Sequence, residues 1–579
     1  MTRTADIETA AMKTLLPDAS PNGAARRAAL NALDSVVGTP TTMITYTSRG
    51  AVLVIGEKPA SVEAATRLQA QGLTALILVP KAAGAGTPVR AEISHHPDGY
   101  TVAEGRISDL LGHLGAFIVR LEGGQAPVNL AREAGFSRED FDLVLDLQSQ
   151  PALEHEVLPP GYYAPRGDPQ AVSAALEELS DLVGEYEKPK YFRYDPNICA
   201  HKARGIVGCQ RCIEACPTNA IVSLAEAIEV DPYLCQGGGS CATACPTGAI
   251  TYAFPSVSDL LSHLRAALRT YADCGGRDPW LLFHDADAGR QWLSERVQDL
   301  SDAVIPVEVE EIGSVGMDTW FSALAYGAAG VAWLITDATP RSVMREVEQQ
   351  QGFANAILCG MGYPEDRLVA VHTDSALLRG LAEGNVTPLM PAAAFAGFDE
   401  KRTTIRLALD HLFAHAPHPR KSTPLPESAP FGTLKVDREA CTLCMGCVAV
   451  CPAAALADGE DLPQLRFIEA NCVQCGLCAR ACPENAIQLV PKFTYDAQQR
   501  GQTRVLNEEE AFLCLECGKP FATQSMMRRM QEKLKGHWMY QDAAALRRLS
   551  MCEDCRIRSV YANGGRLNPF PDRGPHGQK

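Results

Sequence analysis

Between Cys441 and Cys482 the chain repeats one spacing, C-x2-C-x2-C-x3-C-P. Cys441, Cys444, Cys447 and Cys451-Pro452 form the first copy, and Cys472, Cys475, Cys478 and Cys482-Pro483 the second, with the strand-like LRFIEA between them. Thiols packed this densely admit few arrangements. The chain has 21 cysteines, an odd count that sits badly with a closed disulfide framework, and a reducing cytosol would keep them free for metal. In this spacing three thiolates on one tight loop cap three irons of a cubane, and the fourth, read here as starting a helix, ligates the other cluster. A pair of zinc sites is the alternative, but two C-P endings do not suit tetrahedral zinc ribbons.

The stretch 435–495 resembles the bacterial two-cluster ferredoxin family. That resemblance implies one 4Fe–4S cluster on Cys441, Cys444, Cys447 and Cys482, and another on Cys472, Cys475, Cys478 and Cys451. An earlier cysteine group carries the same motif with two departures. Cys209, Cys212 and Cys216-Pro217 keep the ending, but the first ligand is displaced to Cys199, with nine residues between it and Cys209. In the second half, Cys235, Cys241 and Cys245-Pro246 leave Gly238 where the middle cysteine belongs. The family's crossed ligation then implies one cluster on Cys199, Cys209, Cys212 and Cys245. Only Cys216, Cys235 and Cys241 remain for the other, a set for a 3Fe–4S cluster or a 4Fe–4S cluster with a non-thiolate fourth ligand. A degenerate, empty site is the alternative. Three to four iron–sulfur clusters are therefore expected in all.

Two further pairs, Cys514/Cys517 and Cys552/Cys555, lack the C-P ending. They read as two knuckles giving four thiolates to one structural zinc, with a fifth iron–sulfur cluster as the competing reading. The helix between them is expected to use Met526, Met530 and Leu534 as its core stripe. Cys274 and Cys359 stand apart; Cys359 reads as a small buried thiol. His95, His96, His411, His415 and His418 read as exposed loop or helix residues.

The rest is α/β in pattern, so the expected fold class is a multidomain α/β plus α+β chain. From about 51 to 150, AVLVIG, LTALILVP, AFIVRL (116–121) and DLVLDL (142–147) alternate with helical stretches, predicting a parallel sheet flanked by helices. Its opening, VLVIGEKPASVEAATRLQAQGLTALILV, resembles the flavin-binding Rossmann domain of the heterodisulfide reductase A subunit. Of the three glycines of that fingerprint only Gly56 is kept, Lys58 and Ser61 replacing the others, so a Rossmann scaffold without FAD is expected. A second block offers strands at WLLFHDA, IPVEVEEIG, GVAWLIT and LVAVH. Over 270–375 it is similar to the delta-subunit family of methyl-viologen-reducing hydrogenase, implying a flavodoxin-like adaptor domain. The expected division is 1–188 degenerate Rossmann-like, 189–255 ferredoxin-like with one three-Cys site, 256–400 α/β, 401–434 proline-rich linker, 435–495 dicluster ferredoxin, and 496–579 a zinc-ribbon-like domain with a disordered PDRGPHGQK end.

Composition limits the partners. A formal charge of −16 argues against nucleic acid or an anionic membrane, and no apolar run approaches the roughly 20 residues of a membrane helix. The opening residues lack a signal-peptide pattern, so a cytoplasmic location is expected. The whole arrangement resembles iron–sulfur proteins associated with formate dehydrogenase-like molybdoenzymes. The leading expectation is an electron-transfer protein serving a redox enzyme, with no catalytic residue of its own. The alternatives are a flavin-dependent heterodisulfide-reductase-like subunit and a molybdoenzyme assembly factor.

Overall fold

The computed structural model describes residues 16–34, 39–81, 92–96, 100–122, 126–373, 380–381, 390–460, 462–537, 540 and 543–562. The expected disordered end lies outside them.

In the N-terminal unit, Ala51–Ile55 is apolar throughout and is covered on both faces, as a central parallel strand must be. The sheet order is Tyr162–Tyr163, Leu143–Asp146, Ala51–Ile55, Thr74–Pro80, Thr101–Gly105, Glu92–His95; the first five strands run parallel and the last is antiparallel. Helices Lys58–Ala70 and Pro169–Asp181 cover one face, burying Ala64, Leu68, Leu176 and Leu179 against Val52 and Val54. The other face is covered mainly by a second sheet, with the one-turn helix Leu130–Glu133, instead of the flanking helices the pattern predicted. Ile118–Leu121 joins Ile107–Leu111 and Val128–Asn129 in an antiparallel sheet, packed on Leu53, Ile55, Leu76 and Leu78. The physical reason is visible in IVRL: Val119 and Leu121 are buried while Ile118 and Arg120 are exposed, an alternation suited to a one-sided sheet.

The middle unit has four parallel strands in the order Val304–Val309, Trp280–Asp285, Gly330–Ile335, Leu368–His372. Its core holds the stacked pair Trp320 and Trp333, 4.5 Å between centroids. Two segments expected elsewhere belong here. Helix Pro21–Asp34, grouped by position with the first sheet, buries Ala25, Ala29 and Leu30 in this core. Its fully buried Arg26 donates to Ser301 O (2.9 Å), Pro17 O (2.6 Å) and Asp302 Oδ1 (3.2 Å). The second correction concerns 401–434. Lys401–Ala414 is a helix rather than linker, capped by Glu400 and burying Ile405, Ala408, Leu409 and Leu412 at helical spacing. The prolines begin only at Pro417, and even there Ser422–Pro424 pairs with Ile487–Thr494.

The cysteine modules share a plan. Phe192–Tyr194 pairs with Ile250–Tyr252 in the first, and Gly432–Val436 with Ile487–Thr494 in the second. Each encloses two short helices, Arg211–Glu214 and Ser240–Ala244, or Gly446–Ala449 and Leu477–Ala481. The C-terminal unit is the strand pair Ala511–Leu513 and Pro520–Thr523, followed by helices Gln524–Leu534, Ala543–Leu549 and Glu553–Ala562. In Gln524–Leu534 it is Met527 that is buried, one position beyond the expected stripe; Met526, Met530 and Leu534 are half-buried. Among the described residues no helix is long and apolar enough to cross a membrane.

Candidate metal centres

The loops of sites III and IV are shaped by residues in the left-handed region flanking the middle cysteine. Around Cys444 these are Leu443 (φ 52°) and Met445 (φ 58°), and around Cys475 they are Gln474 (φ 53°) and Gly476 (φ 80°). Side-chain-bearing residues in that region cost roughly 1–2 kcal/mol each, a cost the packing around the loop must offset. The loop that lacks its middle cysteine keeps the pattern: Gly237 (φ 80°) and Gly239 (φ 71°) flank Gly238.

The cysteine before each proline follows a short helix rather than starting one. Cys245 caps Ser240–Ala244 and Cys482 caps Leu477–Ala481, both extended at ψ 116° and 112°. Proline excludes helical geometry from the residue before it, and this turns the thiol back toward the opposite loop.

The result is a set of crossed cages, which we number along the molecule. Cys199, Cys209, Cys212 and Cys245 line site II, with Tyr194, Ile228 and Ile250. Cys451, Cys472, Cys475 and Cys478 line site III, with Leu434, Leu456 and Leu489. Cys441, Cys444, Cys447 and Cys482 line site IV, with Leu443, Leu465 and Ile487. Cys216, Cys235 and Cys241 gather at site I in the same apolar cluster as site II. Burial dominates their electrostatics. It pushes Cys209 and Cys475 up to about 11 and Cys447 up to about 12, so without metal these thiols hold their protons. Four sulfurs converging in an apolar-walled cavity are the donor set and surroundings that an iron–sulfur cluster requires, and sites II, III and IV fit it.

The nine-residue gap after Cys199 is a hairpin, Lys202–Ala203 against Ile206–Val207, closed at its base by Cys209 N–H to Ala200 O (2.8 Å). That closure brings Cys199 and Cys209 together despite their separation. Buried His201 links the base to Cys209 O (3.0 Å) and Ser223 Oγ (2.9 Å). The hairpin also docks on the second module. A Cβ on Gly208 would stand 2.9 Å from the Leu477 side chain, and Arg480 Nη1 donates to Val207 O at 2.5 Å. Sites II and III therefore face each other across this junction.

Site I lies where three units meet. Lys188 Nζ donates to Cys235 O (2.5 Å), Val157 N–H to Pro217 O (3.2 Å) and Gln236 Nε2 to Leu158 O (2.8 Å). From the middle unit, Gly313 comes so close that a Cβ there would sit 2.2 Å from Gly238 O.

Cys514, Cys517, Cys552 and Cys555 form a fifth group whose sulfurs all lie within 4.8 Å of one another, three buried and Cys517 exposed. Burial alone would raise the Cys514 thiol, but the N–H groups of Cys552, Cys517 and Glu516 outweigh it and bring Cys514 down to about 6. Four thiols at this separation fit a tetrahedral metal. The group borders site IV through Thr523 Oγ1, which donates to Thr442 O at 2.8 Å.

The remaining candidates are not brought together. Cys274 is exposed at the end of Val257–Asp273, and Cys359 is half-buried near the end of Arg341–Met361, more open than expected. His95, His411 and His415 make surface hydrogen bonds. At the N-terminal unit's fingerprint position, Lys58 Nζ reaches Glu104 Oε1 at 2.5 Å, and Pro59 removes one N–H from the helix start. Lys188, His201, Lys401 and Arg402 were not singled out from the sequence. For the last two a signal existed: adjacent cations in a helix's first turn oppose its dipole and imply other partners.

Comparison with known proteins places both modules. Residues 206–249 and 433–483 each match a family model described as a 4Fe–4S dicluster domain. The first match begins after Cys199. NADH-quinone oxidoreductase subunit I 2 of Geobacter metallireducens is 29% identical over 103 residues, 15% of this chain and 79% of that protein. The chain thus contains two 4Fe–4S dicluster ferredoxin domains, which are iron–sulfur electron-transfer modules within a mixed α/β chain.

Proposed function

We propose that the chain is an electron relay whose four sites form one linear path, I–II–III–IV, serving a redox enzyme partner. The observation that carries this is the hairpin junction, where Gly208 beside Cys209 abuts Leu477 between Cys475 and Cys478. It supports one continuous path instead of two separate ferredoxins. Thiols of neighbouring sites also feel each other's charge in this order: Cys241 with Cys212, Cys209 with Cys475, and Cys478 with Cys447.

Cys199, Cys209, Cys212 and Cys245, with the sets at III and IV, would each hold a 4Fe–4S cluster, and Cys216, Cys235 and Cys241 a three-thiolate one. Bound there, such a cluster takes up and releases one electron at a time. The chain's own residues hold the thiolates, wall them with leucine and isoleucine against water, and donate to the ligand carbonyls. Cys514, Cys517, Cys552 and Cys555 would hold zinc as a closed structural site that braces site IV. The N-terminal and middle units are read as a Rossmann-like scaffold without flavin and a flavodoxin-like adaptor. A formate dehydrogenase-like molybdoenzyme in the cytoplasm is the partner this reading favours, docked by the acidic surface on a basic patch.

Stopped-flow absorbance tests the order. Electrons delivered by reduced viologen should bleach all sites in one connected process. Cys475→Ser should split it, leaving site IV separated from sites I and II by a slow phase. Bleaching kinetics unchanged by that substitution would refute the linear order, and clusters that never cycle with a partner would favour an assembly role.

A further inference from the structure

Lys401 and Arg402 are consecutive, and their side chains diverge to opposite sides of the junction. Buried Lys401 donates through Nζ to Ala242 O (2.9 Å), Thr243 O and Cys245 O (3.1 Å). These are free carbonyls at the end of Ser240–Ala244, and Cys245 belongs to site II. Three acceptors on one nitrogen require three N–H bonds, which only the ammonium form has. Half-buried Arg402 donates through Nη2 to Ala470 O (2.9 Å) and Cys472 O (3.2 Å), and through Nη1 to Pro430 O (3.1 Å). Cys472 belongs to site III. The guanidinium also lies 5.0 Å from the centroid of the Phe431 ring.

The hydrogen bonds of both cations, among the described residues, end on main-chain carbonyls and not on carboxylates. The nearby acids act on the cations through charge alone, their own hydrogen bonds going elsewhere: Glu346 accepts from Gln350 Nε2 (2.9 Å), and Glu400 caps the main-chain N–H groups of Arg402 (3.2 Å) and Thr403 (2.7 Å). Both cations also sit at the helix end where positive charge is unfavourable. Site IV is built differently. The side chain on its Cys441 carbonyl is the neutral amide of Asn507 (3.4 Å), and its neighbouring Arg529 is paired with Glu484.

We infer that Lys401 and Arg402 are separate electrostatic tuners, Lys401 raising the reduction potential of site II and Arg402 that of site III, so that both lie above site IV. The inference rests on reading these cages as cluster sites. A fixed positive charge at a redox centre favours its reduced, more negative state, and in a partly desolvated location it is weakly screened. A junction whose two sides are tuned separately keeps electrons arriving from site IV moving across it.

Potentiometric titration followed by EPR, on the intact iron-loaded protein, tests this. Lys401→Met should make site II harder to reduce by about tenfold in its redox equilibrium, which is 59 mV for one electron, with site III much less affected. Arg402→Met should do the same to site III. Arg402→Lys keeps the charge while losing the fork, so it should leave the potential near that of the unsubstituted protein; a purely structural role would shift it as Arg402→Met does. If Lys401→Met does not retain iron, Lys401→Gln reads the same shift with a neutral hydrogen-bonding side chain. Unchanged potentials, or both sites moving equally in both variants, would overturn the inference. Absence of iron at II and III in the unsubstituted protein would instead overturn the cluster reading itself.

Discussion

Gly238→Cys returns a fourth thiol to site I. A Cβ at Gly238 would meet only the Pro217 ring, at 3.3 Å to Cγ and 3.6 Å to Cδ. The contact requires a shift of a few tenths of an ångström, so the steric cost falls at or below the lower end of the roughly 1–3 kcal/mol typical of overpacking. A Cβ at Gly239 would sit 2.4 Å from the Ser314 main chain and one at Gly237 3.0 Å from the Tyr191 ring, so of the three glycines Gly238 has the most room for a side chain. The electrostatic effect is larger. One added negative charge about 4 Å from a redox centre, at an effective dielectric of about 20, is worth about 4 kcal/mol. At 59 mV per tenfold for one electron this lowers the potential by roughly 170 mV. The assay is iron content with EPR of the oxidised protein and a potentiometric titration. A three-iron site should gain about one iron and lose its oxidised-state signal, and an open four-iron site should keep its iron and fall in potential. A variant that folds, keeps sites II to IV and leaves both the site I signal and its potential unchanged would refute the reasoning.

Other consequences follow from particular contacts. Cys517→Ser should release about one zinc per chain and loosen the helices that pack on it while the iron of sites I to IV stays, as read by metal analysis and limited proteolysis; loss of iron in parallel would show that the fifth group is itself a cluster. Because burial raises Cys209 and Cys475 to about 11, the metal-free fold should have their stabilisation in full below about pH 8.5 and lose it as pH rises toward 11. Urea midpoints of the apoprotein should therefore fall between pH 7.5 and 10.5 by more than those of the loaded protein; equal midpoints would contradict this. Arg26→Met strips the bonds to Ser301 O and Val304 O and the ion pair with Asp302 that hold Pro21–Asp34 to the middle unit and should cost about 2–3 kcal/mol, seen as earlier melting of that unit, whereas an unchanged melt would show that the helix docks without it. The chain's charge of −16 predicts that association with a basic partner slows as salt rises; a rate flat in ionic strength would remove the docking argument.

What was legible in the sequence was local. Sites III and IV need loops of fixed spacing, and the C-P endings set where each fourth thiol turns back, so the cysteines that line each cage could be grouped without coordinates. Cys199 was legible as a displaced ligand, but the hairpin that carries the displacement, and its use as a docking surface for Leu477 and Arg480, depends on a surface more than 200 residues away. The same limit hid the home of Pro21–Asp34. Its apolar face is plain in Ala25, Ala29 and Leu30, but an amphipathic helix does not say which sheet will cover it. Lys401–Ala414 was lost under the prolines that follow it, although Ile405, Ala408, Leu409 and Leu412 carry a helical period. The antiparallel cover on the first sheet was misplaced for a different reason. IVRL has β character in either sheet, and only its alternation of burial tells a one-sided strand from a central one.

Whether the chain holds four connected clusters is read by anaerobic iron, zinc and flavin analysis, combined with EPR before and after dithionite. About 15 or 16 irons and about one zinc per chain with no flavin are expected, with a reduced spectrum broadened by interaction between neighbouring sites across the junction. About eight irons with the spectrum of one isolated dicluster module would contradict a four-site relay.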